Sequence, residues 1–334
     1  MTHSRRRFLA GSAAAAAVGA SSIGGTAAAS SDSGSSYSKV AAEIIGPFKS
    51  LPGTTSVKIF APATHNRREF LAELNPAVPL FCGSAFKCFV LCEALRRVGS
   101  NLGWIESTLL PLNDAVWSLD STVFNPPLLS GHVSERTALE AMISHSDNTG
   151  ADIMLAHLVP DTVRSFIASA GLQHTKIPNS TRQFLGYIFG APNWQTITYD
   201  EVRAITQGTP VYPAINNVQT MVSSADDFVS FYSRGLQGEF FTNPAALEIF
   251  RSTLMIADAI PLVVPLGATG FAKGGEIDAG GFHALCLAGG MYFSDRWVYF
   301  TTMINWTSNQ PAPTQIAFEV ATKKAFARVK EALE

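Results

Sequence analysis

The chain has 334 residues, with 24 lysines and arginines against 26 aspartates and glutamates, a formal charge of −2. That balance offers no basic surface for nucleic acid, and beyond the N-terminal leader no apolar run is long enough to cross a bilayer, so neither nucleic acid nor a membrane anchor is an expected partner. The length suits a single unit of two lobes with a large buried core.

The chain opens with Ser4-Arg5-Arg6-Arg7-Phe8-Leu9, an alanine-rich stretch and Ala27-Ala28-Ala29. This order of basic, apolar and small residues reads as an export signal, and the paired arginines before Phe-Leu match the twin-arginine type. Residues 1–29 are therefore expected to engage the twin-arginine export machinery and to be cleaved after Ala29, leaving the protein in the periplasm or the medium. The serine-rich stretch 30–38 is expected as a flexible tail. Removing the three leader arginines leaves 21 basic against 26 acidic residues, a charge of −5.

From Val40 to Leu51 the pattern predicts an amphipathic helix, followed by strands at Thr55 to Ala61 and Glu69 to Leu74. An apolar helix is expected from Ser84 to about Val98. Helices follow at Ser134 to Ile143, capped by Ser134, at Thr149 to Leu158 and at Asp161 to Ala170, with a break at His145-Ser146-Asp147. Ile177 to Trp194 reads as a long loop of Pro, Asn, Ser, Gly and aromatics. Ser224 caps another helix, with Asp226 and Asp227 in its first turn. Gly270 to Lys273, Gly281 to Ala288 and Trp297 to Ile304 read as antiparallel strands, and Pro313 to Leu333 as a closing helix. Strands at both ends with helices between predict an α+β fold: a sheet lobe from 39–82 and 220–334, and a helical lobe from 83–219 inserted between them.

Cys82, Cys88, Cys92 and Cys286 permit a disulfide in an exported protein. Three of them cluster within eleven residues, and Cys88 and Cys92 share one apolar helix face, so small buried hydrophobes is the better reading. No histidine stands at ligand spacing to the cluster, so no metal and no other cofactor is expected.

The chemistry is carried by three short motifs. Ser84-Ala85-Phe86-Lys87 places a hydroxyl one helical turn from an amine, and a lysine kept neutral by its apolar surroundings can take the serine proton. About sixty residues on comes Ser146-Asp147-Asn148, and somewhat over a hundred after that Lys273-Gly274-Gly275. Ser-x-x-Lys, Ser-Asp-Asn and Lys-Thr-Gly, in this order and at these spacings, are the signature of penicillin-recognising serine hydrolases. Over nearly all of the mature length the chain resembles the class A beta-lactamase family and its penicillin-binding relatives, most closely around Ala141 to Thr149.

The resemblance implies a beta-lactamase-like fold with the active site between the lobes. It also implies roles: Ser84 as nucleophile, Lys87 as base, Ser146 relaying a proton to the leaving group, and Lys273 supplying positive charge beside it. Asn148 would bind a substrate amide, Asp147 would hold the loop, and the backbone at Gly275 and Glu276 would complete an oxyanion hole with the Ser84 N–H.

Two departures stand out. The family's deacylating glutamate has no counterpart, because no acidic residue occurs from Thr162 through Tyr199. Gln183 is the nearest polar stand-in, and an amide cannot take a proton as a carboxylate does. Gly274 stands where the family carries a hydroxyl that binds the substrate carboxylate, and Glu276 and Asp278 add negative charge nearby, which favours a neutral or cationic substrate. His283 reads as a satisfied core histidine. Phe184, Tyr187, Phe189 and Trp194 would line a substrate pocket or anchor their loop.

The expected function is an exported serine hydrolase acting on an amide, lactam or ester through a Ser84 acyl-enzyme, with a beta-lactam, an ester or a cell-wall peptide as small-molecule substrate. The alternatives are an esterase, lactonase or D-amino-acid peptidase on the same scaffold, or a beta-lactam-binding sensor that does not turn over.

Overall fold

A computed structural model of the chain describes residues 33–99 and 101–334. The expected signal, residues 1–29, lies outside them. The first helix, α1, runs Ser33–Lys49, so 33–38, expected as tail, is helical and α1 begins seven residues ahead of Val40. β1 (Thr54–Ala61), β2 (Phe70–Leu74) and the short β3 (Leu80–Phe81) follow. A 3-10 turn, Gly83–Phe86, then leads into α2 (Lys87–Arg97), so Ser84 sits in a tight turn ahead of the α-helix rather than inside it.

α2 is buried on every side from Lys87 to Leu95, as a helix carrying Phe89, Val90, Leu91 and Cys92 in a row must be. Packed on it are α4 (Glu135–Ser144), α5 (Asn148–Leu158) and α6 (Pro160–Ser169), and beyond these lie α3 (Gly103–Ser107) and the pair β4 (Leu109–Leu112) and β5 (Gly131–Ser134). Ser134 caps α4 by accepting the Thr137 N–H, as the sequence predicts.

The expected loop from Ile177 to Trp194 contains a helix, α7 (Thr181–Ile188). Ser180 caps it by accepting the Gln183 N–H at 3.0 Å, and Phe184 and Ile188, four apart, bury one face. Two turns of helix among Gly, Pro and Asn residues leave too short a period to stand out. α8 (Tyr199–Ile205) was also not predicted, although its capping box of Thr198 and Glu201 is written in the sequence. β6 (Val222–Ser223) pairs with β3, and α9 (Ala225–Gly235) starts at the predicted Ser224 cap. α10 (Pro244–Met255), capped by Asn243, is a further unpredicted helix, and it packs on both α2 and the sheet. The short α11 (Ile260–Val263) leads to three long strands, β7 (Thr269–Ala279), β8 (Phe282–Phe293) and β9 (Arg296–Thr307), and to α12 (Ala312–Leu333).

The main sheet is antiparallel in the order β2-β1-β9-β8-β7, so strands from the two ends of the chain meet where β1 pairs with β9. One face packs with α1 and α12, through Phe48, Phe300, Phe318 and Phe326, and the other faces the core around α2. β2 and β7 are the edge strands, and β7 packs against the Gly83–Phe86 turn that carries Ser84. The architecture is α+β, as expected.

Candidate active site

Ser84 is held in place by backbone. Asn305, on β9, accepts the Phe81 N–H at 2.8 Å and donates to the Phe81 carbonyl at 3.2 Å, while the Cys82 N–H donates to the Met221 carbonyl at 2.9 Å. Gly83 then turns the chain with φ +51°, and a Cβ there would lie 2.7 Å from the Glu276 nitrogen. From the strand side, a Cβ on Gly275 would lie 2.1 Å from the Cys82 carbonyl oxygen and 2.6 Å from the Ser84 nitrogen. These two glycines let the Ser84 turn and β7 meet backbone to backbone, which brings the Ser84 and Glu276 amides together.

Lys87 is fully buried, and its Nζ donates to the Ser146 carbonyl at 2.6 Å and to Asn148 Oδ1 at 2.7 Å, with Ser146 Oγ and the Asp147 carbonyl each at 3.4 Å. Two motifs sixty residues apart thus meet at one nitrogen. Ser146 reaches Lys87 from a backbone with φ +55°, a left-handed conformation that costs a non-glycine residue on the order of 1–3 kcal/mol and clusters at functional sites. What maintains it is Asp147. Fully buried, it caps α5 by accepting the Gly150 N–H at 2.9 Å and also accepts the Val123 and Phe124 N–H groups at 2.9 and 3.1 Å. It touches only backbone, in keeping with a loop-holding role. Asn148 Nδ2 donates to the Leu119 carbonyl at 3.0 Å, which fixes the amide with its oxygen toward Lys87.

Lys273 is buried on the face of β7 that it shares with Gly275, and it donates to the Gly274 carbonyl at 3.0 Å. It lies within electrostatic range of Cys88 and Cys286, whose thiols burial pushes up, keeping them inert at neutral pH. All four cysteines are free and buried.

α7 covers this arrangement. Asp152, four residues after Asn148 and on the same face of α5, accepts the Thr181 N–H at 2.6 Å, the Thr181 hydroxyl at 2.8 Å and the Arg182 N–H at 3.1 Å. Burial pushes its carboxyl up to about 6, against the pull of these bonds and of the Arg182 charge. Arg182 ties the helix start to the carbonyls of Asp114, Ala115 and Trp117. Thr181 Oγ1 meets Ser118 Oγ at 2.8 Å and approaches the Asn148 carbonyl at 3.5 Å. Thr181, and not Gln183, is the α7 side chain beside Asn148, since the Gln183 amide donates to the Gln195 carbonyl at 2.7 Å.

The aromatics of this segment anchor it. Phe184 packs on Phe81 with ring centroids 5.6 Å apart, Phe189 is buried, and Tyr187 stacks on Tyr212 and meets Trp194 edge-on. His283 is the expected core histidine, with Nε2 2.7 Å from the Ser308 carbonyl, Nδ1 3.2 Å from Asp278 and its ring against Trp306. Sequence reasoning missed Asp152 and Asn305. The spacing of Asp152 from Asn148 was a usable signal, but nothing local to Asn305 marks it.

Residues 39–312 match the family described as the Beta-lactamase enzyme family. No curated protein matches the chain at the sequence level. Among solved structures, a beta-lactamase from Chitinophaga pinensis has TM-score 0.67 at 15% identity, covering 91% of this chain and 100% of its own. PBP-A has TM-score 0.66 at 15% identity, covering 88% and 96%. A PBP-A mutant solved as an acyl-enzyme complex with penicillin G has TM-score 0.63 at 14% identity, covering 88% and 97%. At these identities the likeness is one of fold.

Proposed function

The chain belongs to the Beta-lactamase enzyme family, and from this we propose an exported serine hydrolase that opens an amide, lactam or ester bond through an acyl-enzyme on Ser84. The observation that carries the proposal is the junction at Lys87 Nζ, bonded at once to the Ser146 carbonyl and to Asn148 Oδ1.

Buried Lys87 acts as the base and takes the Ser84 proton as Oγ attacks the acyl carbon. The oxyanion is received by the adjacent Ser84 and Glu276 N–H groups, whose closeness the glycines at 83 and 275 make possible. Ser146, with Oγ 3.4 Å from Lys87, carries the proton to the departing nitrogen or oxygen, and buried Lys273 offsets the charge that builds there.

Deacylation has less support. No carboxylate occurs from 162 to 199, and Asp152 is already bound to Thr181 and Arg182. Acylation is therefore the fast step and hydrolysis of the acyl-enzyme the slow one, the kinetic behaviour of a penicillin-binding protein rather than of an efficient beta-lactamase. The PBP-A mutant solved as an acyl-enzyme with penicillin G supports acyl-enzyme formation on this fold. The paired arginines before Phe8-Leu9 support a site of action outside the cytoplasm.

Intact-protein mass spectrometry tests the proposal, using the wild type and Ser84→Ala incubated with penicillin G and with an activated short-chain ester. A Ser84-dependent adduct that outlasts the free reagent is the expected result. An adduct-free protein with both reagents would overturn it.

A further inference from the structure

Ser84 and Glu276 belong to different parts of the fold, yet an oxyanion site built on them needs their amides at a fixed separation. Glu276 lies on β7, in the main sheet. Ser84 follows β3, which stands outside that sheet and pairs with β6 through Leu80 and Phe81. The next tie along this chain, from the Cys82 N–H to the Met221 carbonyl, leads to the residue just ahead of β6. Neither tie refers the Ser84 turn to β7.

The Asn305 side chain does. Its Oδ1 accepts the Phe81 N–H at 2.8 Å, and its Nδ2 donates to the Phe81 carbonyl at 3.2 Å and to the Ile304 carbonyl at 3.0 Å. Both amide hydrogens and the oxygen are thereby used, and Phe81 is held on both of its backbone groups, as a strand neighbour would hold it. Asn305 is buried on β9, opposite Thr54 of β1 and Ala284 of β8, and Ala284 in turn stands opposite Ile277 of β7. Ile277 directly follows Glu276. Asn305 and Glu276 thus lie on adjacent rungs of one antiparallel ladder, about 10 Å apart across two strand spacings. Phe81, just ahead of the Ser84 turn, is fixed to that ladder. Local packing gives no reason for an amide here, since asparagine is depleted from strands and the neighbouring Met303, Ile304 and Trp306 are apolar.

We propose that Asn305 is a positioning residue for acylation. Its amide refers Phe81, and with it the Ser84 N–H, to the ladder that carries the Glu276 N–H, so that both donors meet the oxygen that gains charge as Ser84 Oγ attacks. The proposal rests on the reading of Ser84 as nucleophile and deepens it by naming what sets the spacing of the two donors. These donors hold the charged tetrahedral oxygen more strongly than the ground-state carbonyl. A change at Asn305 therefore acts on the rate of acylation and leaves substrate binding nearly as it was.

Two esters of one acyl group test this: 4-nitrophenyl acetate, and its thiono analogue with sulfur in place of the carbonyl oxygen. Both release 4-nitrophenolate. Sulfur is the larger and weaker acceptor, so the oxygen ester alone draws full benefit from well-spaced N–H donors. The burst of 4-nitrophenolate is followed over a range of ester concentrations for the wild type, Ser84→Ala, Asn305→Ala and Asn305→Asp. The aspartate keeps an acceptor for the Phe81 N–H and loses the donor to its carbonyl. In the wild type the Ser84-dependent burst should be faster with the oxygen ester by about tenfold or more. Asn305→Ala should slow that burst by about ten- to a hundredfold and shift its half-saturating concentration by less than about twofold. The thionoester should slow by about threefold at most, so the ratio between the esters falls, and Asn305→Asp should lie between. A ratio that keeps its wild-type value in both variants would overturn the proposal whatever their absolute rates, because a loss of folded enzyme slows both esters alike. So would a wild type with no preference for oxygen, or failure of both variants to fold, which would make Asn305 a residue of the fold alone. Absence of Ser84-dependent release from either ester in the wild type would instead remove the hydrolase reading, and the proposal with it.

Discussion

Two turns of similar construction border the cleft, one ahead of α5 and one ahead of α7. Each is held by a buried aspartate that accepts backbone N–H groups: Asp147 binds those of Gly150, Val123 and Phe124, and Asp152 those of Thr181 and Arg182. Their products differ. The first turn delivers Ser146 and Asn148 to Lys87, whereas the second delivers only the Thr181 hydroxyl to the edge of the same group. A rigid turn is thus not enough for chemistry; the side chain it presents decides which half of an acyl-transfer cycle it can serve.

Lys87→Met tests the first turn most severely. It removes the nitrogen on which Ser146 and Asn148 converge, and the rate of Ser84 acylation by penicillin G should fall by about 10²–10⁴, as loss of a general base does. An acylation rate within tenfold of wild type would show that the convergence is structural only.

Next in size is Asp147→Ala, which leaves three buried N–H groups unpaired and releases the left-handed Ser146. A loss of about 3 kcal/mol or more in urea unfolding is expected, with slower acylation in the protein that remains folded. Unchanged stability would mean that α5 and the 121–124 segment hold the turn without it.

The smallest effect belongs to the second turn and appears as a pH dependence. The Asp152 carboxyl is raised to about 6 in the folded state, from an ordinary value near 4 in the unfolded chain. The folded state therefore binds this proton more tightly. The corresponding contribution to stability is complete below about pH 4 and is lost as pH rises to about 6, and its size is on the order of 3 kcal/mol. Asp152→Asn cannot titrate, so the difference in unfolding free energy between it and the wild type should shift across pH 4–6 in that direction, with acylation at pH 7 nearly unchanged. A difference that stays flat across this range would show that burial does not raise the carboxyl.

Much of this arrangement is legible in the residues themselves. Ser84, Lys87, Ser146 and Asn148 stand out through the order and spacing of three short motifs that resemble those of a known family, since each motif alone is common. Helix starts at Ser134 and Ser224 are readable because a cap is a local interaction between a side chain and an amide three residues on. α7 was not, because its eight residues hold together only when Phe184 and Ile188 meet the core. Gln183 looked like the nearest substitute for a carboxylate, and the hydrogen bond that turns its amide to Gln195 could not be read from spacing.

What local sequence carries is each short motif and the helix caps at Ser134 and Ser224, which depend on neighbours within a few residues. Only the tertiary structure decided that Lys87 meets the Ser146 carbonyl as well as Asn148, that Asn305 from a distant strand pins the chain ahead of Ser84, and that Gly275 is forced by packing while Gly274 is not. Each of these is a contact between segments far apart in the chain. Their distances follow from how segments distant in sequence pack in three dimensions, and no local pattern encodes that.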